Sequence, residues 1–279
     1  MSSFTSISSD KLARLIGTAN MPALIDVRTD EDFAADQRLI PGAVRRNHQA
    51  AADWGREFSG HSAIVVCLRG EKLAQGTAAW LRWLRYVNVE AEALEGGFEG
   101  WKAAKLPLVP ASKLPARDAQ GRTVWVTRAR PKIDRIACPW LIRRFIDPNA
   151  VFLFVAPAEV VAVGERFNAV PFDIENVFWS HRGELCTFDV MIEEFGLATP
   201  PLLQLATIVR AADTARLDLS PEAPGLLAAS LGLSRMYDDD LEQLEAGMTL
   251  YDAFYRWCRD ATGETHNWPT AKPVPKAAR

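Results

Sequence analysis

Residues 63–76 read AIVVCLRGEKLAQG, and this stretch decides the fold of the first part of the chain. Its apolar run is typical of a strand buried in a parallel sheet, and the run ends on Cys67. A loop containing Gly70 follows, and the residues after that loop predict a helix. Because parallel sheets bind ligands at the carboxyl ends of their strands, Cys67 stands at a position suited to chemistry.

The flanking residues continue this alternation of strands and helices. Short apolar runs predict strands, and segments that begin with a capping residue or an acidic turn predict helices. The predicted strands cover residues 23–27, 63–67 and 89–96, and the predicted helices cover residues 11–17, 29–37, 74–85 and 98–104. Strands separated by helices indicate an α/β domain with a parallel sheet and helices on both faces.

Composition argues against several classes of protein. With 48% hydrophobic residues over 279 positions, the chain can form two domains with substantial cores. The net charge of −3 argues against a nucleic acid or an anionic membrane as partner. Four isolated cysteines, no apolar signal segment and no run of 18 apolar residues predict a protein of the reducing cytoplasm. These patterns make no prediction about the oligomeric state.

The chain divides near residues 106–122, which read LPLVPASKLPARDAQGR. Three prolines, a glycine and the lack of periodicity predict a linker. The predicted units are a first domain at 1–108, a linker at 109–122, a second domain at 123–270 and a flexible tail at 271–279. The second domain shows strand patterns at 125–130, 151–156 and 171–174 among longer helical ones, which predicts a mostly helical α+β domain.

Two interpretations of Cys67 follow from the residues around it. Backbone N–H groups in a glycine-containing turn at a helix start form an anion site, which stabilises a thiolate and makes it nucleophilic. Arg69 and Lys72 add positive charge nearby. Alternatively, Cys67 is a small apolar residue at a strand end, because free cysteines are among the most buried residues.

Four separated motifs of the first domain resemble the rhodanese-like family. They are Asp26-Val27-Arg28, the Ile-Pro-Gly-Ala segment 40–43, the Cys67 loop, and segment 94–98 with Trp101. The resemblance implies an α/β rhodanese-like fold and a sulfurtransferase in which Cys67 carries sulfane sulfur as a persulfide. It implies a thiosulfate-like donor, a thiol or cyanide acceptor and no required cofactor.

The same resemblance implies roles for residues near Cys67. Asp26 and Arg28 organise the strand ends rather than take part in the chemistry. The loop whose amides hold the terminal sulfur consists of Leu68, Arg69, Gly70, Glu71 and Lys72.

The loop also departs from the family pattern, which often has Arg-Ser where Lys72 and Leu73 stand. Lysine lacks the planar fork of arginine, and leucine removes a hydroxyl donor, so we expect slow turnover. Leu39 stands where a histidine is common. Related phosphatases need an arginine at the position of Leu73 to grip phosphoryl oxygens, which argues against phosphatase activity.

The second domain begins with six cations in the 18 residues 128–145. If a helix starts at Asp134, then Asp134, Cys138 and two apolar residues share one face. If Pro139 instead lies in the first turn of the helix, Cys138 caps it as a second candidate low-pKa thiol. The residues leave both alternatives open.

Asp213 extends the apolar stripe of a predicted helix, where a carboxylate needs a cation, a metal or dense hydrogen bonding. Asp134, His181, Cys186 and Asp213 could therefore form a metal site or a redox pocket. The alternative is that Asp213 pairs with an arginine such as Arg135 or Arg210, and that His181 is structural.

Residues 125–268 resemble the C-terminal domain of the chromate-resistance protein ChrB. The motifs are the block 130–142, Arg144-Phe145-Ile146-Asp147-Pro148, Pro171-Phe172-Asp173, His181 with Cys186-Thr187-Phe188, and segment 208–213. The resemblance implies a role linked to chromate, another oxyanion or a metal. ChrB-type regulators carry a separate DNA-binding region, and a rhodanese-like domain stands in its place here.

Our leading interpretation is a sulfurtransferase coupled to an oxyanion-stress domain, and the alternative is a non-enzymatic sensor of chromate, oxidant or metal. We expect one shared cavity in the second domain that binds an oxyanion, a metal ion or both. Its candidate residues are Lys132, Asp134, Arg135, Cys138, Arg144, His181, Cys186 and Asp213, with Asp134, His181 and Asp213 as candidate metal ligands.

Overall fold

The computed structural model describes residues 5–84 and 88–264. The predicted flexible tail at 271–279 lies outside these residues. Within the described ranges, no helix combines the length and apolar character that a membrane crossing requires.

The strands are, in chain order, β1 (Ser6–Ile7), β2 (Ala23–Asp26), β3 (Arg38–Leu39), β4 (Ala43–Arg45), β5 (Ser62–Val66), β6 (Glu90–Leu94), β7 (Val109–Pro110), β8 (Val124–Arg128), β9 (Val151–Val155) and β10 (Val170–Pro171). The helices are α1 (Ser9–Leu15), α2 (Asp30–Ala35), α3 (Ala51–Trp54), α4 (Lys72–Trp83), α5 (Gly97–Ala103), α6 (Asp134–Phe145), α7 (Val160–Phe167), α8 (Thr187–Glu194), α9 (Pro200–Asp213), α10 (Ala223–Met236) and α11 (Asp240–Asp260).

The first part of the chain forms a parallel five-stranded sheet with the order β1-β6-β5-β2-β4. Side chains alternate between its faces, so Ile64 and Val66 of β5 join one core while Ala63, Val65 and Cys67 join the other. The helices α1 and α5 cover the first face, and α3 and α4 cover the second. The predicted α/β fold with helices on both faces is confirmed. The short strands β1 and β4 and the short helix α3 were not predicted.

The second part combines a small parallel sheet, β10-β8-β9, with a helical body. Trp140 of α6 is fully buried, and its ring packs against those of Phe188 and Tyr251. The predicted α+β character is confirmed. The helix α7 was not predicted, and the expected strand at 171–174 is shorter, because β10 ends at Pro171 and Phe172 makes only an isolated bridge.

The helix α6 begins at Asp134 and holds Pro139 in its interior. The alternative in which Cys138 caps a helix that starts near Pro139 is therefore wrong. The backbone turns sharply just before α6, where the β-branched Ile133 has φ +40°. Its carbonyl accepts a 2.8 Å hydrogen bond from the Tyr251 hydroxyl, which fixes this turn against α11.

Residues 109–122, the predicted linker, contact both the first and the second part of the chain. The strand β7 pairs antiparallel with β3. Beyond it, Lys113 forms an ion pair with Glu194 at 2.5 Å, and Arg117 reaches Asp147 at 3.1 Å. The segment therefore contacts the second part through charged side chains, which its prolines and small residues did not reveal.

Candidate functional sites

Cys67 follows β5 at the carboxyl end of the sheet and is 4% exposed. Its carbonyl accepts from the N–H of Phe98 at 2.9 Å, which ties the loop to the start of α5. Gly70 has φ +74°, and a Cβ there would collide with the carbonyl oxygen of Leu94 and lie 2.8 Å from the Gly97 nitrogen. Only glycine fits this close backbone contact.

The loop from Leu68 to Lys72 combines unpaired backbone donors with mostly exposed side chains. Within the described part of the chain, no group accepts a hydrogen bond from the N–H of residues 68–72. The side chains of Arg69, Glu71 and Lys72 are exposed, while Leu73 packs on the core beneath α4. Free N–H groups beside a cysteine at a helix start form a site suited to an anionic sulfur.

Asp26 and Arg28 form a buried ion pair behind this loop. The guanidinium bonds the Asp26 carboxylate at 2.6–3.1 Å and donates to the carbonyls of Asp36 and Arg38. The same group lies 3.8 Å from the centre of the ring of Phe98, the residue whose N–H bonds the Cys67 carbonyl. The pair thus joins the ends of β2, β3 and α5.

A second cluster surrounds His181. Its Nε2 atom lies 3.5 Å from Asp134 Oδ2, 3.3 Å from Asp173 Oδ1 and 3.5 Å from Asp213 Oδ2. The structure therefore brings together Asp134, His181 and Asp213, as the sequence interpretation expected. It also adds Asp173, which that interpretation did not select.

Asp134 and Asp173 are buried and held by further hydrogen bonds. Asp134 accepts from the backbone N–H of Thr187 at 2.7 Å and of Phe188 at 3.0 Å, at the start of α8. Asp173 accepts from the Thr187 hydroxyl at 3.0 Å and from Arg128 at 3.1 Å. Asp173 follows β10 at the same edge of the sheet where Arg128 ends β8. The site could have been extended to Asp173 from sequence, because the carboxyl ends of neighbouring parallel strands meet at one edge.

Proton affinities in this cluster depart from ordinary values. The carboxylates of Asp134 and then Asp173, both within 3.5 Å of Nε2, raise the pKa of His181 to about 10. Burial, followed by the charges of Asp134 and Asp173, raises the pKa of Asp213 to about 7. The cluster of three carboxylates therefore favours a positive charge on or near the imidazole.

The two cysteines proposed for this pocket are buried thiols. Cys138 Sγ lies 3.6 Å from Asp134 Oδ1, and Cys186 Sγ lies 3.1 Å from Asp189 Oδ2. Burial, reinforced by the charge of Asp134, raises the pKa of both thiols. The expectation of a low-pKa thiol at Cys138 is therefore wrong.

The six cations of residues 128–145 do not line one cavity. Arg135 Nε reaches Asp173 at 3.4 Å and, with Arg128, borders the His181 cluster. The Arg144 guanidinium instead pairs with Asp252 of α11 at 2.7 Å. Lys132 lies at a separate small cavity beside Gln243 and Tyr251.

The alternative partners proposed for Asp213 also differ from those observed. Arg210 pairs with Asp189 at 2.6 Å, and Arg135 approaches Asp173 instead. Asp213 therefore faces His181.

The fold and the Cys67 loop define the class of the first part of the chain. Residues 8–104 match the model of the rhodanese-like domain. The chain is 33% identical over 106 residues to Thiosulfate sulfurtransferase GlpE of Actinobacillus succinogenes, covering 38% of this chain and 90% of that protein. The chain therefore belongs to the rhodanese-like family.

The second part matches a different family. Residues 125–258 match the model of the ChrB C-terminal domain. The chain is 35% identical over 150 residues to Protein ChrB of Cupriavidus metallidurans, which covers 52% of this chain and 44% of ChrB, less than half of that relative's length. The chain therefore joins a rhodanese-like domain to a segment that is similar to the ChrB C-terminal domain.

Solved structures similar to the first part include a rhodanese-like domain protein from Staphylococcus aureus. It is 26% identical and has a TM-score of 0.30, covering 35% of this chain and 91% of that one.

Proposed function

We propose that the chain is a thiosulfate-type sulfurtransferase in which Cys67 carries sulfur as a persulfide. The observation that carries this proposal is the Cys67 loop, where the N–H groups of residues 68–72 have no acceptor in the described chain. Such a turn stabilises negative charge on a cysteine sulfur or on the terminal sulfur of a persulfide. The similarity to GlpE supports the same activity.

The reaction requires two displacements at sulfur. The Cys67 thiolate attacks the outer sulfur of thiosulfate, the S–S bond breaks, and sulfite leaves with the bonding electron pair. Cyanide or an acceptor thiolate then attacks the terminal sulfur of the persulfide, and Cys67 leaves as a thiolate. Sulfur moves as a neutral atom in both steps, so the cycle requires no cofactor.

We also propose that this chemistry acts in the cytoplasm in defence against chromate or a related oxyanion. The ChrB C-terminal domain supports this role. Thiols and persulfides are readily oxidised, so a domain that supplies them suits a response to an oxidising anion. The partners of the chain are then a thiosulfate-like donor, a thiol acceptor and the oxyanion, without nucleic acid or membrane.

A second candidate is a sensor in which the Cys67 loop binds an anion or becomes oxidised without turnover. The position of Leu73 favours this candidate, because its side chain packs on the core and offers the loop no donor. The two candidates differ in whether the chain catalyses repeated sulfur transfer.

The test is steady-state transfer of sulfur from thiosulfate to cyanide by the full chain. Wild type should form thiocyanate, and Cys67→Ser should form none, because a serine hydroxyl cannot carry a persulfide. The matched control is Cys258→Ser, which changes a cysteine of α11 and should retain activity. Comparable activity in Cys67→Ser would move the chemistry to another cysteine, and no turnover in wild type would favour the sensor.

A further inference from the structure

We propose that Asp134, Asp173 and His181 bind one divalent first-row transition metal ion, with Zn²⁺ as the ion that fits best. This site lies in the second domain and is separate from the sulfur chemistry of Cys67. One ligand atom from each of these three residues lies within 4.8 Å of the other two.

The distances around His181 fit ligands of a shared ion better than hydrogen bonds. Its Nε2 atom can donate one N–H, yet three carboxylate oxygens surround it at 3.3–3.5 Å. These separations exceed the usual 2.7–3.2 Å of an N–H···O bond. Ligands of a tetrahedral Zn²⁺ bound at about 2.0–2.1 Å lie about 3.3–3.4 Å apart, close to the observed separations.

The proposed ligands come from separate parts of the chain and are held in place. Asp134 opens α6, Asp173 follows β10, and His181 precedes α8. The N–H groups of α8 and the Thr187 hydroxyl bond the two carboxylates. The arginines approach Asp173 through Oδ2, whereas Oδ1 faces His181. Such hydrogen-bonded carboxylates are the usual support of metal ligands.

The donor set indicates the class of ion. An imidazole nitrogen favours first-row transition ions over Mg²⁺ and Ca²⁺. Affinity rises from Mn²⁺ to a maximum at Cu²⁺, and Zn²⁺ binds more tightly than Mn²⁺. Three protein ligands leave a fourth tetrahedral position for water, as in catalytic zinc sites. Asp213, 3.5 Å from the imidazole, is placed to accept a hydrogen bond from that water.

The ion would also have a path to its ligands. The His181 side chain is 41% exposed. A cavity of about 420 Å³, lined in part by Gly183, Glu184 and Arg210, opens beside the segment that carries His181.

Isothermal titration of the full chain with Zn²⁺, Mn²⁺ and Mg²⁺ tests the proposal. The chain is first treated with chelator and carries Cys67→Ser, so that the loop thiol cannot bind the ion. We expect one Zn²⁺ per chain, weaker binding of Mn²⁺ and no heat from Mg²⁺. His181→Ala and Asp173→Asn should each weaken Zn²⁺ binding by more than about 100-fold, exceeding the effect of losing a supporting residue.

The matched control is Glu175→Gln, which removes an exposed charge from the segment between Asp173 and His181. It should change Zn²⁺ affinity by no more than about twofold, because salt screens exposed charges. Absence of Zn²⁺ binding to the Cys67→Ser chain would overturn the proposal, as would binding that persists unchanged in His181→Ala. If Asp173→Asn fails to fold, the half-exposed His181→Ala still decides between these outcomes.

Discussion

The Cys67 loop and the His181 cluster are built in opposite ways. The loop uses backbone N–H groups from consecutive residues, with one reactive side chain. The cluster uses side chains that begin α6, follow β10, precede α8 and end α9. A site of the first kind depends on backbone conformation, and a site of the second kind depends on long-range packing and charge. Different substitutions should therefore disrupt the two sites.

The largest expected effect concerns the support of the loop. Arg28→Ala leaves the Asp26 carboxylate buried without its partner, and breaking such a pair costs about 3–5 kcal/mol in the free energy of unfolding. Arg45→Ala is the control, because Arg45 pairs with the exposed Asp30 and such pairs contribute about 0–1 kcal/mol. Urea unfolding measures both, and equal losses would contradict a special role of Arg28.

The backbone origin of the first site can be tested with two glycines. Gly70→Ala should reduce sulfur transfer by about 100-fold, because the added Cβ meets the Leu94 carbonyl and displaces the loop. Gly76→Ala, within α4, meets no atom within 4 Å and should leave activity unchanged. The kcat/KM with thiosulfate measures both, and full activity in Gly70→Ala would show that the loop geometry is not needed.

The charges of the second site should appear in the pH dependence of stability after chelator treatment. Native His181 binds its proton more tightly than unfolded His181 between pH 6.5 and about 10, and Asp213 does so between pH 3.8 and about 7. The free energy of unfolding should therefore fall as pH rises through both windows. In His181→Ala, the free energy of unfolding should no longer fall between pH 6.5 and about 10. In Asp213→Asn, it should no longer fall between pH 3.8 and about 7. If both variants keep the pH dependence of the unmodified chain, the interactions of His181 and Asp213 with the other carboxylates do not contribute to stability.

The smallest effect concerns the departure of the loop from the family pattern. Leu73→Ser supplies a hydroxyl donor at the start of α4. It should raise kcat with thiosulfate by a few-fold, which is the size of effect expected from one added hydrogen bond. Lower turnover would show that the packing of Leu73 on the core matters more than a donor.

The contrast between the sites also explains what sequence could predict. The strands β2 and β5 carry apolar runs, β6 alternates glutamates with alanines, and the motifs around Cys67 are contiguous, so the fold and the loop could be predicted. The role of Arg28 in joining strand ends was expected from the family resemblance, but its carbonyl partners, Asp36 and Arg38, were not predicted.

The second site was predicted only in part, for a physical reason. Asp213 drew attention because it stands on an apolar helix stripe, and Asp134 because it starts a helix with Cys138 on the same face. Asp173 follows a strand of two residues and carries no periodic signal. Arg144 was expected in the pocket, but it pairs with Asp252 of α11, which lies 108 residues away in sequence.

The central claim is that Cys67 carries sulfur, and intact mass spectrometry tests it most directly. After incubation with thiosulfate, the wild-type chain should gain the mass of one sulfur atom, located by peptide analysis on Cys67 and removed by cyanide. Cys67→Ser should gain none. No adduct on wild type, or an adduct located on Cys138, Cys186 or Cys258, would contradict the account.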